Sequence, residues 1–250
     1  MPELKRSIGY LYLEETKFDR LTIRQKKRPA INPVEQFKTY ASAEKIELPG
    51  EPWKKEHNFW NLLKNRRSKR KYNKSKISLS DLTSLLWATQ GITERAGHYF
   101  LRTAPSAGAL YPIETYLAVD SVDGLKPGLY HLNVFGFYLE RLNGQTSTRD
   151  IARAALDQSF IVSASVVFIW SAMLRRTMSK YGHRGIRYIF MDSGHICQNL
   201  LLAAEAMGLS SCPVAALYEN ELNSLLGLDG EEETVIYIAP VGMEDKKITI

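Results

Sequence analysis

Residues 64–76, KNRRSKRKYNKSK, carry eight Lys or Arg side chains and no acid. The whole chain holds 33 basic and 27 acidic residues, so outside this run 25 basic residues face 27 acidic ones and the positive excess is local. A local cationic site asks for a local anion. At its centre Arg66-Arg67-Ser68-Lys69-Arg70 sets guanidinium forks beside a hydroxyl, the donor set that a phosphate monoester takes. A nucleic-acid backbone or a solvated charge run would account for the same residue types.

Three further segments could do chemistry. Ala104-Pro105-Ser106-Ala107-Gly108-Ala109-Leu110-Tyr111-Pro112 places small residues between two prolines, which fixes a backbone path and lets it approach a flat ligand. Ala104 breaks the GxSxG pattern, so serine-hydrolase chemistry is not expected. Lys180-Tyr181-Gly182-His183-Arg184-Gly185 offers an amine, a phenol and an imidazole for proton transfer, in what reads as a loop before a long helix. Ser211-Cys212-Pro213-Val214-Ala215-Ala216 reads as a small-residue turn able to present backbone N–H groups. Taken singly, each has a plain structural alternative, as a tight loop, an anchored helix start or a turn.

The elements that must position these segments interleave irregularly. Helical periodicity begins near residue 57 with Phe59, Leu62 and Leu63, and Ser80 with Asp81 marks a second helix through Leu82, Leu85, Leu86 and Thr89, stopped by Gly91. Strands are expected at 114–119, 129–133, 137–142, 166–170 and 234–241, with a short helix at 149–156 and a long, largely apolar one at 185–207. Asp192 and His195 on that helix are read as a satisfied polar pair rather than a metal site. Residues 1–52 read as an irregular arm interrupted by Pro29, Pro33, Pro49 and Pro52. This pattern predicts one α+β domain over 53–250 rather than a doubly wound sheet. At 250 residues with 44% hydrophobic and 24% charged side chains, it can bury a full core.

In order along the chain, the Arg-Arg-Ser-Lys-Arg core, the Pro105 to Pro112 segment, Gly128-Leu129-Tyr130, Lys180-Tyr181-Gly182, Gly194-His195, Gln198-Asn199-Leu200 and Pro240-Val241-Gly242 resemble the SagB-type dehydrogenases of the FMN-dependent nitroreductase superfamily. The resemblance covers about residues 59–242. It implies a nitroreductase-like fold, a central, mainly antiparallel sheet flanked by helices in an intertwined homodimer, with two FMN sites built from both chains. By that similarity Arg66, Arg67, Ser68 and Arg70 hold the phosphate, ribityl chain and pyrimidine edge, and the partner chain supplies Pro105, Ser106 and Ala107 near the ring. Pro213, Val214, Ala215 and Ala216 match the turn lying against the flavin, where several relatives have Glu-Gly in place of Ala215-Ala216. Lys246 or Lys247 could add a phosphate contact. Lys180 and Tyr181 match a pair that abstracts a proton while flavin N5 accepts hydride, the chemistry that turns peptide azolines into aromatic azoles.

Two other functions are weighed against this. A ping-pong reductase would take electrons transiently from NAD(P)H and pass them to a nitroaromatic or quinone; no GxGxxG or P-loop pattern is needed for a nicotinamide that stacks on flavin. A nucleic-acid-binding protein would use residues 64–76, but lacks zinc-finger spacing and an RNP1 aromatic pattern. Cys197 and Cys212 are expected as buried thiols without metal. With no apolar run near the roughly 20 residues of a membrane span and no secretory signal, a cytoplasmic protein is expected.

Overall fold

The computed structural model describes residues 7–17, 30–50, 57–142 and 146–245. A seven-stranded sheet forms its centre. It comprises β1 (Glu44–Glu47), β4 (Ile113–Val119), β5 (Gly128–Asn133), β6 (Tyr138–Arg141), β7 (Val166–Met173), β8 (Leu209–Ser211) and β9 (Glu233–Met243), ordered β1-β6-β5-β4-β7-β9-β8. Every neighbouring pair is antiparallel. A separate hairpin joins β2 (Ile92–Ala96) to β3 (Tyr99–Arg102).

Strand β7 sits mid-sheet and is buried on both faces, which is why its sequence runs apolar without alternation. Phe168 and Trp170 face α3 (Leu79–Gln90) and α6 (Gly185–Ala206), in a core with Leu82, Leu85, Leu200 and Ala204. Val167 and Ile169 face the other side, against Ile151 of α4 (Thr148–Ala154) and Leu222 of α7 (Glu219–Leu226). Alternate residues of one strand thus fill two separate cores.

Several boundaries differ from those expected. Helix α3 is capped by Ser78 rather than Ser80: its Oγ accepts from Asp81 N at 3.0 Å and donates to the Asp81 carboxylate at 2.8 Å, so the acid three residues on selects the earlier serine. Gly91 ends that helix with φ −56°, and is needed for space: a Cβ there would lie 2.5 Å from the Trp87 ring. Within the stretch expected to be irregular, α1 (Ile8–Glu15) forms behind an N-cap at Ser7, and β1 pairs with β6 as the edge strand. Pro33 and Pro49 fall outside both elements.

A buried charge cluster fastens the middle strands. His131 of β5 lies between Glu114 of β4 at 2.9 Å and Glu140 of β6 at 2.7 Å, and Arg176 joins Glu114 from α5 (Leu174–Tyr181). Burial would raise the Glu114 carboxyl, but Arg176, His131 and Arg102 outweigh it and hold it down to about 2. From an ordinary value of 4.5 this stabilises the fold fully above that pH and is lost as pH falls towards 2. Urea unfolding from pH 6 to pH 2 should therefore show Glu114→Gln losing roughly 3 kcal/mol less stability than the parent over that range; parallel curves would assign acid sensitivity elsewhere.

Candidate functional site

The basic run leaves the end of α2 (Phe59–Asn65), where Arg66 N closes the last turn on Leu62 O. It then follows the end of the sheet: Lys69 N donates to Ser211 O at 2.9 Å, Asn73 N to Met243 O at 3.1 Å, and the Tyr72 hydroxyl to Pro240 O at 3.2 Å. The run is thereby laid beside the 211–216 turn. Lys69 is neutralised by Glu244 at 3.2 Å and Glu205 at 3.6 Å. Arg66, Arg67 and Arg70 make no ion pair among the described residues. Arg67 donates to Lys64 O and Arg66 O and so caps its own helix, while the Ser68 hydroxyl and the Arg70 charge both act on the Cys212 thiol.

In the turn itself, Val214 is spent on the sheet, its N–H and carbonyl both paired with Ile238 at 2.9 and 3.1 Å. Pro213 is half-buried, whereas Ala215 and Ala216 are exposed, with N–H groups that take no acceptor among the described residues. Burial raises the Cys212 thiol against Arg70 and Ser68, and pushes Cys197 up to about 12 against Tyr237 and Arg66. Both thiols stay protonated, so the cluster is built from cations and amides rather than thiolates.

The second cluster gathers around α5 and the small-residue loop. Lys180 and Tyr181 lie in the last turn of α5, not in a loop before α6; a short 3₁₀ turn at Gly182–Arg184 separates the two helices. Sequence periodicity misses α5 because only Arg176 and Thr177 of its eight residues are buried. Gly108, at φ 66°, faces the pair closely: a Cβ added there would sit 2.7 Å from both Lys180 Nζ and Tyr181 Oη. Pro105 is exposed beside it. The Ser106 hydroxyl accepts from Tyr111 N at 2.9 Å and donates to Asp192 Oδ2 at 2.6 Å, and Ala107 N reaches Asp192 Oδ1 at 3.4 Å. Asp192 is thus the anchor that ties this loop to α6, a role its helix spacing alone does not reveal. Burial raises its carboxyl, opposed by those two contacts and by His195.

The structure therefore joins the four segments in two pairs. Arg66 to Arg70 meets Ser211 and Cys212, which lead into Pro213 to Ala216, and Gly108, next to Pro105 to Ala107, meets Lys180 and Tyr181. The pairs sit towards opposite ends of α6, at Glu205 and Asp192, about 20 Å apart along its axis at 1.5 Å per residue. Lys246 and Lys247 fall outside the described residues.

Comparisons with known proteins agree with this architecture. The chain is 38% identical over 181 residues to the Methanocaldococcus jannaschii nitroreductase-family protein MJ1384, covering 72% of this chain and 88% of that one. It is 31% identical over 165 residues to the trifolitoxin-processing protein TfxB of Rhizobium leguminosarum bv. trifolii, covering 62% of this chain but 44% of TfxB. A crystal structure from Ralstonia eutropha, described as a nitroreductase, superposes with TM-score 0.70 at 23% identity, over 86% of this chain and 99% of that one. The nitroreductase family model matches residues 63–243, nearly the whole span from α2 through β9, and on that match and the MJ1384 likeness the chain belongs to the nitroreductase family.

Proposed function

We propose that this protein is an FMN-dependent oxidoreductase of the SagB type, which oxidises a peptide azoline or a similar heterocycle at a site shared by two copies of the chain. The observation that carries the reading is the meeting of Lys180 and Tyr181 over Gly108, on the loop where a flat ring can approach. TfxB, named for processing trifolitoxin, supports a peptide-derived substrate.

The residues present fit a flavin mononucleotide. Guanidiniums of Arg66 and Arg70 without carboxylate partners among the described residues, with the Ser68 hydroxyl, suit a phosphate and its ribityl chain. Arg67 steadies the helix end beside them. The free N–H groups of Ala215 and Ala216 suit the polar edge of the ring, a contribution from backbone that needs no Glu-Gly side chain. Bound there, FMN supplies a hydride acceptor. Pro105, Ser106 and Ala107 cover the ring from the second copy, and Lys180 or Tyr181 of that copy removes the substrate proton. Pairing of copies is also favoured by exposed apolar side chains on α2 and α6, Phe59, Trp60, Phe190 and Met191, each more than half exposed.

The test is the absorbance of the purified protein from about 300 to 550 nm, with the released chromophore identified by mass. Stoichiometric FMN is expected, and Arg70→Ala should weaken its retention at least about tenfold, the loss of one charge-assisted hydrogen bond. A colourless protein that takes up no added FMN would end the flavin reading and return the basic run to nucleic acid. Rapid bleaching by NAD(P)H with turnover of nitroaromatics would instead identify the ping-pong reductase.

A further inference from the structure

The family match begins at residue 63, yet two described pieces of chain before it hold the helix that bears Lys180 and Tyr181. We propose that these two pieces, residues 7–17 and 30–50, form a clamp on α5, with Arg184 and Arg187 as positioning residues, and that the clamp fixes where the Lys-Tyr pair sits. This rests on the oxidoreductase reading for its consequence in turnover, but not for the clamp itself.

Helix α5 is held in place by its neighbours rather than by its own length. Eight residues fall short of the length that is stable alone, and its two buried residues are Arg176 and Thr177. Gly182 follows at φ 58°, a conformation that a side chain would resist, so the chain has a joint directly after Tyr181.

Two contacts close on it. At its first turn, Arg176 Nε donates to the carbonyl of Glu35 at 2.7 Å, and the same stretch is pinned to the sheet by Lys38, which pairs with Glu233 and donates to the Tyr116 hydroxyl at 2.7 Å. Just past its last turn, α1 bonds to the joint. The Tyr12 hydroxyl donates to His183 O at 3.2 Å, Arg187 Nε donates to Thr16 Oγ1 at 2.8 Å, Arg187 also reaches Leu13 O, and Arg184 reaches Thr16 O.

Polar contacts at its C-terminal end dominate this docking, because α1 buries none of its residues and leaves Ile8 86% exposed. Cations on the last carbonyls satisfy groups the helix leaves open and face the negative end of its dipole. The α1 sequence has no basic residue in its own last turn, so Arg184 of the 3₁₀ turn and Arg187 of α6 supply what it lacks.

The test is hydrogen exchange of the full chain in Arg184→Ala/Arg187→Ala, beside the flavin spectrum and steady-state kinetics. Amides of 174–184 should exchange roughly 10- to 100-fold faster, as expected from losing hydrogen bonds made by charged groups, with the central strands unchanged. FMN absorbance should stay at the parent level while kcat falls at constant KM, and Arg184→Lys/Arg187→Lys should restore part of the protection. If the double variant does not fold, Tyr12→Phe removes a single hydroxyl and should speed the same amides about fivefold. Unchanged exchange in 174–184, or an increase spread evenly over the sheet, would overturn the clamp. Absence of flavin from the parent protein would instead remove the functional reading and leave the exchange result standing.

Discussion

Lys180→Ala should cut turnover by about 10²- to 10⁴-fold, the range a positioned acid–base group supplies, while the flavin spectrum stays that of the parent. The two effects separate because the two clusters do. Lys180 lies with Gly108 and Asp192 towards one end of α6, whereas Arg66, Ser68 and Arg70 lie towards the other, about 20 Å away along that helix. On the proposed assignment, truncating the amine removes the proton-transfer group without touching the residues assigned to the phosphate. Tyr181→Phe tests the second member of the pair, since it keeps the ring against Tyr188 at 4.9 Å between centroids and removes only the hydroxyl. Gly108→Ala tests the geometry without changing either group: its Cβ would fall 2.7 Å from both functional atoms, at a φ of 66° that adds strain of about 1 kcal/mol or more, so the pair must withdraw. A fall of roughly tenfold is expected, since displacement misaligns the transfer without abolishing it. The measurement is anaerobic flavin reduction by substrate in single turnover, which isolates the oxidation step from reoxidation. Parent-level rates in Lys180→Ala would remove the Lys-Tyr mechanism.

The parts of the fold legible in the sequence are those whose residues announce their own surroundings. Val166 to Trp170 is apolar on both faces because helices cover both faces, and α6 reads clearly because Ile189, Ile196, Leu200 and Ala204 repeat on its buried side. Elements defined by non-local partners leave no such trace. The β1 sequence, Glu-Lys-Ile-Glu, has only Ile46 half-buried and becomes a strand through pairing with β6; α1 has no buried residue, so no core imposes a period on it. The candidate site residues read as four segments in the sequence, but which segments lie together does not follow from it. Order along a chain does not say that Lys69 turns to Glu205 while Ser68 and Arg70 turn to Cys212, nor that Val214 is consumed by Ile238 while the N–H groups of Ala215 and Ala216 take no acceptor among the described residues. Asp192 shows the limit well. Its i, i+3 relation to His195 suggests a local pair, and His195 does act on its charge, but its hydrogen-bond partners, Ser106 and Ala107, come from a loop more than eighty residues earlier.

Arg176→Met should destabilise the protein by roughly 3–5 kcal/mol at pH 7, the cost of stripping one partner from a buried ion pair. The guanidinium is 3% exposed and meets three acceptors from three parts of the chain: Glu35 O, Tyr111 O and the Glu114 carboxylate. Glu114 in turn holds His131, which also binds Glu140; burial would lower that imidazole, yet the two carboxylates raise it, so the row alternates in charge and closes near neutrality. Without Arg176 the Glu114 carboxylate loses its hydrogen-bonded counter-charge at a buried position. Urea unfolding should register the loss directly, and thermal unfolding should show a fall in Tm of about 10 °C for a chain of this size. Arg176→Lys should recover only part, because one ammonium cannot span three acceptors set for a planar fork. The decisive comparison is the double variant Arg176→Met/Glu114→Gln. If the cost lies in the stranded anion, adding the second substitution should restore stability towards that of Glu114→Gln alone, since a neutral amide needs no counter-charge. If both single losses simply add, the guanidinium acts chiefly through its carbonyl contacts to Glu35 and Tyr111.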